Sequence, residues 1–189
     1  YTQSGIYYQQ NNISANILYQ EDFTNGLGNE WSNNSDMFFD HPDYGNIAGD
    51  FGEESLNLNL NNMIVGDSIT ISFDLLIFGT WDGSSHPITA LNSPDLFTLT
   101  ANNTQLLNAS FSNIDAQLPA WSYSCPQSYP NDFGQGSNPA LTSSIYYSDS
   151  FAATDCDYGT GICTGVETAT NCGGGGVSVY NVTRKYYIN

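Results

Sequence analysis

The chain has 189 residues and 20.6 kDa, with 19 acidic side chains against two basic ones, Arg184 and Lys185, for a formal net charge of −17. Two cations near one end cannot line a positive groove, which excludes recognition of a nucleic-acid backbone. With 40% hydrophobic and 14% aromatic residues the chain can bury a core, while a charged share of 11%, against about 25% in ordinary globular chains, leaves the surface to Asn, Ser, Thr, Gln, Gly and Tyr.

In chain order, residues 1–12 carry Tyr1, Ile6, Tyr7 and Tyr8 on a polar background and read as an arm rather than a core strand. Ile13 to Tyr19 is a first strand candidate. Leu56, Leu58 and Leu60 alternate with Asn57 and Asn59, and Ile69, Ile71, Phe73, Leu75 and Ile77 fall on one face at period two, the pattern of a half-buried strand. Met63 to Asp67, with Gly66, supplies a turn between these runs, so they are expected to pair as a hairpin. Leu96 to Ala101, Leu106 to Phe111, Ser144 to Tyr147 and Val177 to Thr183 complete the strands, each bounded by Asn, Gly, Pro or Asp. No helical i, i+3, i+4 apolar pattern is present. The expected fold is all-β, an antiparallel β-sandwich of jelly-roll type. Residues 122–176, rich in Pro, Gly, Ser and Cys, read as long loops stapled by disulfides. The expected organisation is an arm over residues 1–17, the sandwich over 18–151, and a Cys/Gly-rich region with a final strand over 152–189.

Cys125, Cys156, Cys163 and Cys172 lie in the C-terminal third. Their even number and wide spacing favour two disulfides, of unassigned pairing, over a metal site. N-x-S/T sequons stand at Asn12, Asn33, Asn102, Asn108 and Asn181, each a glycosylation candidate in a secreted protein. No apolar run reaches the length of about 18 residues that spans a bilayer. Tyr1 is expected to be a mature N-terminus or a processing product. These features point to an extracellular or cell-surface protein.

The order of Glu21-Asp22-Phe23, Gly49-Asp50-Phe51-Gly52, Ser72-Phe73-Asp74-Leu75, Thr80-Trp81-Asp82-Gly83 and Pro94-Asp95-Leu96-Phe97, continuing through Phe111-Ser112-Asn113 and Gln127-Ser128-Tyr129-Pro130, resembles extracellular laminin-G and concanavalin A-like modules over residues 18–151. The resemblance implies a jelly-roll sandwich that binds glycans, carries calcium or serves as a spacer, and it implies no single activity. After Tyr147 the chain departs from the pattern.

Gly66-Asp67-Ser68 matches the nucleophile block of GDS-type hydrolases. No Asp-x-x-His block follows it, and it opens a strand where that chemistry needs a helix, so Ser68 reads as a turn residue and no catalytic constellation is assigned. His41 and His86 read as surface-loop histidines. Nineteen carboxylates with almost no basic partners invite calcium. The candidate ligands are Asp82 and Asp95, Glu21 and Asp22, and Asp155 and Asp157 with Gly159, although aspartates at turns also cap their own backbone. Trp81 and Trp121 are candidate platforms for sugar rings, against ordinary packing.

The expected function is that of a non-enzymatic structural protein forming a homo-oligomer or polymer, a filament or surface layer, with the arm at Tyr1, Ile6, Tyr7 and Tyr8 adding a strand to a neighbour. The alternative is a calcium-dependent carbohydrate-binding or adhesion module.

Overall fold

A computed structural model describes residues 5–9, 16–32, 38–41, 44–49, 55–61, 63–79, 81, 83–84, 94–113, 126–148, 154–157, 162–165 and 176–189. The protein is all-β. Its strands are β1 (Gly5–Gln9), β2 (Asn16–Gln20), β3 (Trp31–Ser32), β4 (Phe38–His41), β5 (Gly45–Ala48), β6 (Asn57–Leu58) and β7 (Ser68–Gly79), then β8 (Leu96–Ala101), β9 (Thr104–Ser110), β10 (Tyr146–Ser148), β11 (Thr154–Asp157), β12 (Ile162–Gly165) and β13 (Gly176–Tyr187). One sheet has five strands in the order β10-β13-β7-β1-β2, and the pairs β11-β12, β3-β6, β4-β5 and β8-β9 form two-stranded sheets.

Among the described residues this arrangement does not display the two-sheet strand order of a jelly roll, so only the all-β, antiparallel part of the expectation stands. The expected hairpin between Leu56–Leu60 and β7 is also corrected. The turn forms, with Asp67 N–H donating to the Ile64 carbonyl at 3.2 Å, but β6 pairs with β3, and β7 lies between β13 and β1. Alternation dictates which face of a strand is buried and is silent on its partner.

The chain forms two compact units, one of Tyr1–Phe73, Asp157–Ile162 and Lys185–Asn189, the other of Asp74–Cys156 and Cys163–Arg184. In the first, β1 is hydrogen-bonded on both sides, Ile6 opposite Ile71 of β7 and opposite Tyr19 of β2. Residues 5–9, read as part of an arm, are therefore an interior strand of their own chain's sheet.

In the second unit the core gathers on Phe111, Tyr129 and Tyr180, whose ring centroids lie 4.7 to 5.3 Å apart, with Leu107, Ala109, Ile77, Val177 and Val182 buried around them. β13 supplies Tyr180 and Val182 from alternate positions, leaving Asn181 and Thr183 exposed. β9 contributes Leu107 and Ala109 in the same way, opposite Leu99 and Phe97 of β8.

A polar network penetrates this core. Gln127 Oε1 accepts from the Ser112 N–H (3.2 Å), the Leu141 N–H (3.1 Å) and the Tyr180 hydroxyl (3.0 Å), while Nε2 donates to the carbonyls of Tyr129 (3.2 Å) and Thr142 (3.0 Å). All its donors and acceptors are thus used, the condition under which a buried carboxamide is tolerated. Asn113 Nδ2 donates to the Ile77 carbonyl at 3.0 Å, and its Oδ1 accepts from the Ser178 hydroxyl.

The segment read as stapled loops is held by backbone bonding instead. The Tyr129 N–H donates to the Ser110 carbonyl (3.2 Å) and the Phe133 N–H to the Asn108 carbonyl (2.6 Å), so the turns of residues 127–133 are hydrogen-bonded to β9. Ser110 and Ser128 exchange N–H to hydroxyl bonds, both 2.9 Å. Further along, β10 overlaps the strand expected at Ser144 to Tyr147, whereas β11 and β12 are strands where loops were expected. No disulfide bond is present among the described residues, which corrects the stapled-loop reading. Cys125 and Cys172 lie outside those residues, while Cys156 and Cys163 sit on β11 and β12. Cysteine count and spacing carry no information on the Cα and Cβ distances that a bridge requires.

Gln127→Leu, close in volume, removes five hydrogen bonds, leaves the buried Ser112 N–H and Tyr180 hydroxyl without that acceptor, and is expected to cost about 3–5 kcal/mol in denaturant unfolding; an unchanged unfolding midpoint would refute the role given to the network. Burial pushes the Tyr180 hydroxyl from 10.0 up to about 12, so its contribution to stability is full below pH 10.0 and lost as pH rises through about 12. Near-ultraviolet circular dichroism should record loss of packing across that window, and Tyr180→Phe should flatten the dependence.

Candidate functional site

No charged side chain and no histidine occurs in residues 1–20 of a chain carrying −17. The described part of this stretch is β1 and β2, and β2 is the terminal strand of the five-stranded sheet. Tyr7 opposes Ile17 and Ile6 opposes Tyr19, which leaves Leu18 as an extra residue in a bulge. Ile17 is 56% and Leu18 41% exposed. The outer edge of β2 pairs with no strand among the described residues, and it lacks the Lys or Pro with which natural edges are commonly blocked.

An aromatic and acidic group follows directly. Trp31 of β3 donates from Nε1 to the Tyr19 hydroxyl at 2.7 Å, and that hydroxyl donates to Glu21 Oε2 at 3.2 Å. Trp31 packs edge-on against Tyr19 at 6.1 Å and tilted against Phe23 at 6.0 Å. Phe23 holds a left-handed φ of 58°, uncommon for a bulky residue. All three rings are half-buried, as are Glu21 and Glu30. Burial raises the Tyr19 hydroxyl well above its ordinary value, and hydrogen bonding to Glu30 raises it further. Tyr19 is thus held neutral as a donor. Among the tryptophans, sequence reasoning singled out Trp81 and Trp121; Trp31 has no local motif, and only the folding of β3 beside Tyr19 marks it.

The other sequence candidates are scattered. Trp81 is half-buried with its ring edge-on to Phe111 at 6.1 Å, and its carbonyl accepts from the Asn113 N–H at 3.0 Å, so part of its surface serves the core. Trp121 and Asp82 lie outside the described residues, as do Tyr1, Asn12, Asn33 and His86; Ile6, Tyr7 and Tyr8 are in β1 and His41 ends β4.

Among the described residues no group of three or more His, Cys, Asp or Glu is placed to hold a metal ion. Glu21 Oε1 accepts from the N–H groups of Asp22 (3.1 Å) and Phe23 (2.9 Å), and Asp22 Oδ1 from that of Thr24 (2.9 Å). The bond from Thr24 holds the Asp22 carboxyl below its ordinary value. These two carboxylates therefore cap a local turn. Asp95 is exposed, Asp155 and Asp157 stand in β11, and Gly159 lies outside the described residues.

Gly66, at φ +94°, donates to the Ile188 carbonyl at 2.8 Å, and the Ile188 N–H returns a 2.8 Å bond to the Asp67 carbonyl. Ser68 then opens β7 opposite Gln9, as a turn-to-strand residue. No helix of the described residues is long and apolar enough to cross a membrane.

No protein-family model, curated protein or solved structure matches the chain.

Trp31→Phe keeps the ring packing but removes the donor to the Tyr19 hydroxyl, and is expected to cost about 1 kcal/mol, measured as a lowered unfolding midpoint. No change would mean that the bond does not organise the group.

Proposed function

We infer that this chain is an extracellular structural protein whose copies associate into a filament or surface layer. The observation that carries this reading is the uncharged β1–β2 hairpin, with Ile17 and Leu18 exposed on the terminal strand of a sheet. Copies with a net charge of −17 repel one another, and the repulsion is weakest where each presents a neutral surface. Exposed apolar side chains on the terminal strand of the sheet supply the attraction. The bulge at Leu18 turns the contact toward side-chain packing more than continuous strand addition. Since β1 is seated in its own sheet, a neighbour receives the hairpin surface, and β1 itself passes to a neighbour only by exchange.

The double variant Ile17→Lys and Leu18→Lys is expected to remain folded, with unchanged circular dichroism, and to lose assembly by light scattering and electron microscopy. Assembly equal to wild type, or a wild-type chain that stays monomeric at high concentration, would reject the reading.

The aromatic and acidic group favours a second reading, a carbohydrate-binding or adhesion module of the kind that the laminin-G-like resemblance implies. Tyr19, Phe23 and Trp31 offer half-exposed ring surface, and Glu21 and Glu30 offer acceptors for sugar hydroxyls. Glycan-array binding that Trp31→Ala reduces at least tenfold would support it; absence of binding to any glycan would leave assembly alone.

A further inference from the structure

Three sequon asparagines fall among the described residues, all in the second unit, and their surroundings differ. Asn108 is in β9. Its backbone N–H donates to Asp132 Oδ1 at 2.9 Å, its carbonyl accepts from Phe133 at 2.6 Å, and its side-chain oxygen accepts from the Thr98 hydroxyl at 3.0 Å. The hydroxyl that completes this sequon belongs to Ser110, which is fully buried, 2.6 Å from the Ser84 hydroxyl and accepting from the Ser128 N–H. Asn181 is in β13, a strand flanked on both sides, and its Nδ2 donates to Asp74 Oδ1 at 3.1 Å while its Oδ1 accepts from the Thr183 hydroxyl at 3.3 Å.

Asn102 is different. With Asn103 it forms the two-residue connection between β8 and β9, both at left-handed φ, 45° and 64°. This is the geometry of a tight hairpin turn, in which an asparagine side chain projects from the end of the ribbon. Asn102 and Thr104 are both exposed, and neither side chain has a hydrogen-bond partner among the described residues. The turn explains why asparagine is tolerated at positive φ, but Gly or Asp serves that purpose equally. It does not call for a threonine two residues on, which the glycosylation sequon does.

We propose that Asn102 is the N-glycan acceptor of the second unit and that Asn108 is not one. This rests on the extracellular reading above for its occurrence in the native protein, though not for the acceptor chemistry. The donor is an oligosaccharide linked through a diphosphate to a lipid, delivered by the transferase of the secretory route. The bond from the anomeric carbon to the phosphate oxygen breaks, and the lipid diphosphate leaves with the electron pair. The Asn102 amide nitrogen forms the new bond to that carbon and gives one proton to the transferase base. No internal hydrogen bond is lost from the hairpin, and the glycan extends the turn into solvent. At Asn108 the folded chain buries the hydroxyl that the sequon needs.

The test is glycopeptide mass mapping of the full chain secreted from a eukaryotic host, alongside native material. The expected result is occupancy at Asn102 and a bare Asn108, with Asn102→Gln and Thr104→Ala each removing the same glycan. Thr104→Ala leaves the turn asparagines in place, so it decides the matter if Asn102→Gln fails to fold. A secreted chain bare at Asn102, or one occupied at Asn108, overturns the proposal. Native material bare at Asn102 while the secreted chain is occupied supports the acceptor assignment and counts against the extracellular reading instead.

Discussion

The five hydrogen bonds of the Gln127 carboxamide are the constraint on which the second unit depends. A buried amide without partners destabilises a fold by several kcal/mol, and with all of them satisfied it specifies one arrangement of its neighbours. Here it ties Ser112, two residues beyond β9, the turn at Leu141 and Thr142, and Tyr180 of β13 to a single point. Tyr180 also packs edge-on against the stacked Phe111 and Tyr129 rings, which links the carboxamide to the aromatic core. Hydrophobic burial supplies the driving force, and the carboxamide selects the register in which it is realised.

Chain segments without regular strand pattern are built in by the same means. Residues 127–133 lie along β9 through paired Ser110 and Ser128 bonds, and Asn138 Nδ2 donates to the carbonyls of Ser128 (2.8 Å) and Tyr129 (3.1 Å). Arg184 joins this system with a bond to the Leu106 carbonyl at 3.2 Å and its guanidinium 5.9 Å from the Tyr129 ring centroid. Burial raises the Tyr129 hydroxyl, and the Arg184 charge partly offsets this. One of the two cations of the chain is thus committed to internal packing. Lys185 is then the one basic side chain exposed on the acidic surface.

Much of the strand content was legible. Leu96–Ala101 appears as read, Ile69 and Ile77 are buried on the face that period-two alternation assigned, and β13 extends the expected Val177–Thr183. β1 was missed because Gly5–Gln9 is polar and Tyr-rich, with no clear alternation; it becomes a strand because β7 and β2 satisfy both of its edges. β11 and β12 were missed because their Cys and Gly content reads as loop. The candidate site was less legible still. Trp31, Tyr19 and Phe23 are separated in sequence, and no spacing rule links them.

The sequence by itself determined the class and the character of the surface. Alternating apolar residues bury one face of a strand whatever lies beside it, and 19 acids against two bases make the surface acidic in any fold. Tertiary structure alone decided strand partners, the hydrogen-bonded course of residues 127–133, and which sequon is exposed at a turn and which is locked in a strand. Those outcomes depend on hydrogen bonds between residues far apart in the chain, such as Gln127 with Tyr180 at 3.0 Å, and local pattern holds no record of such distances.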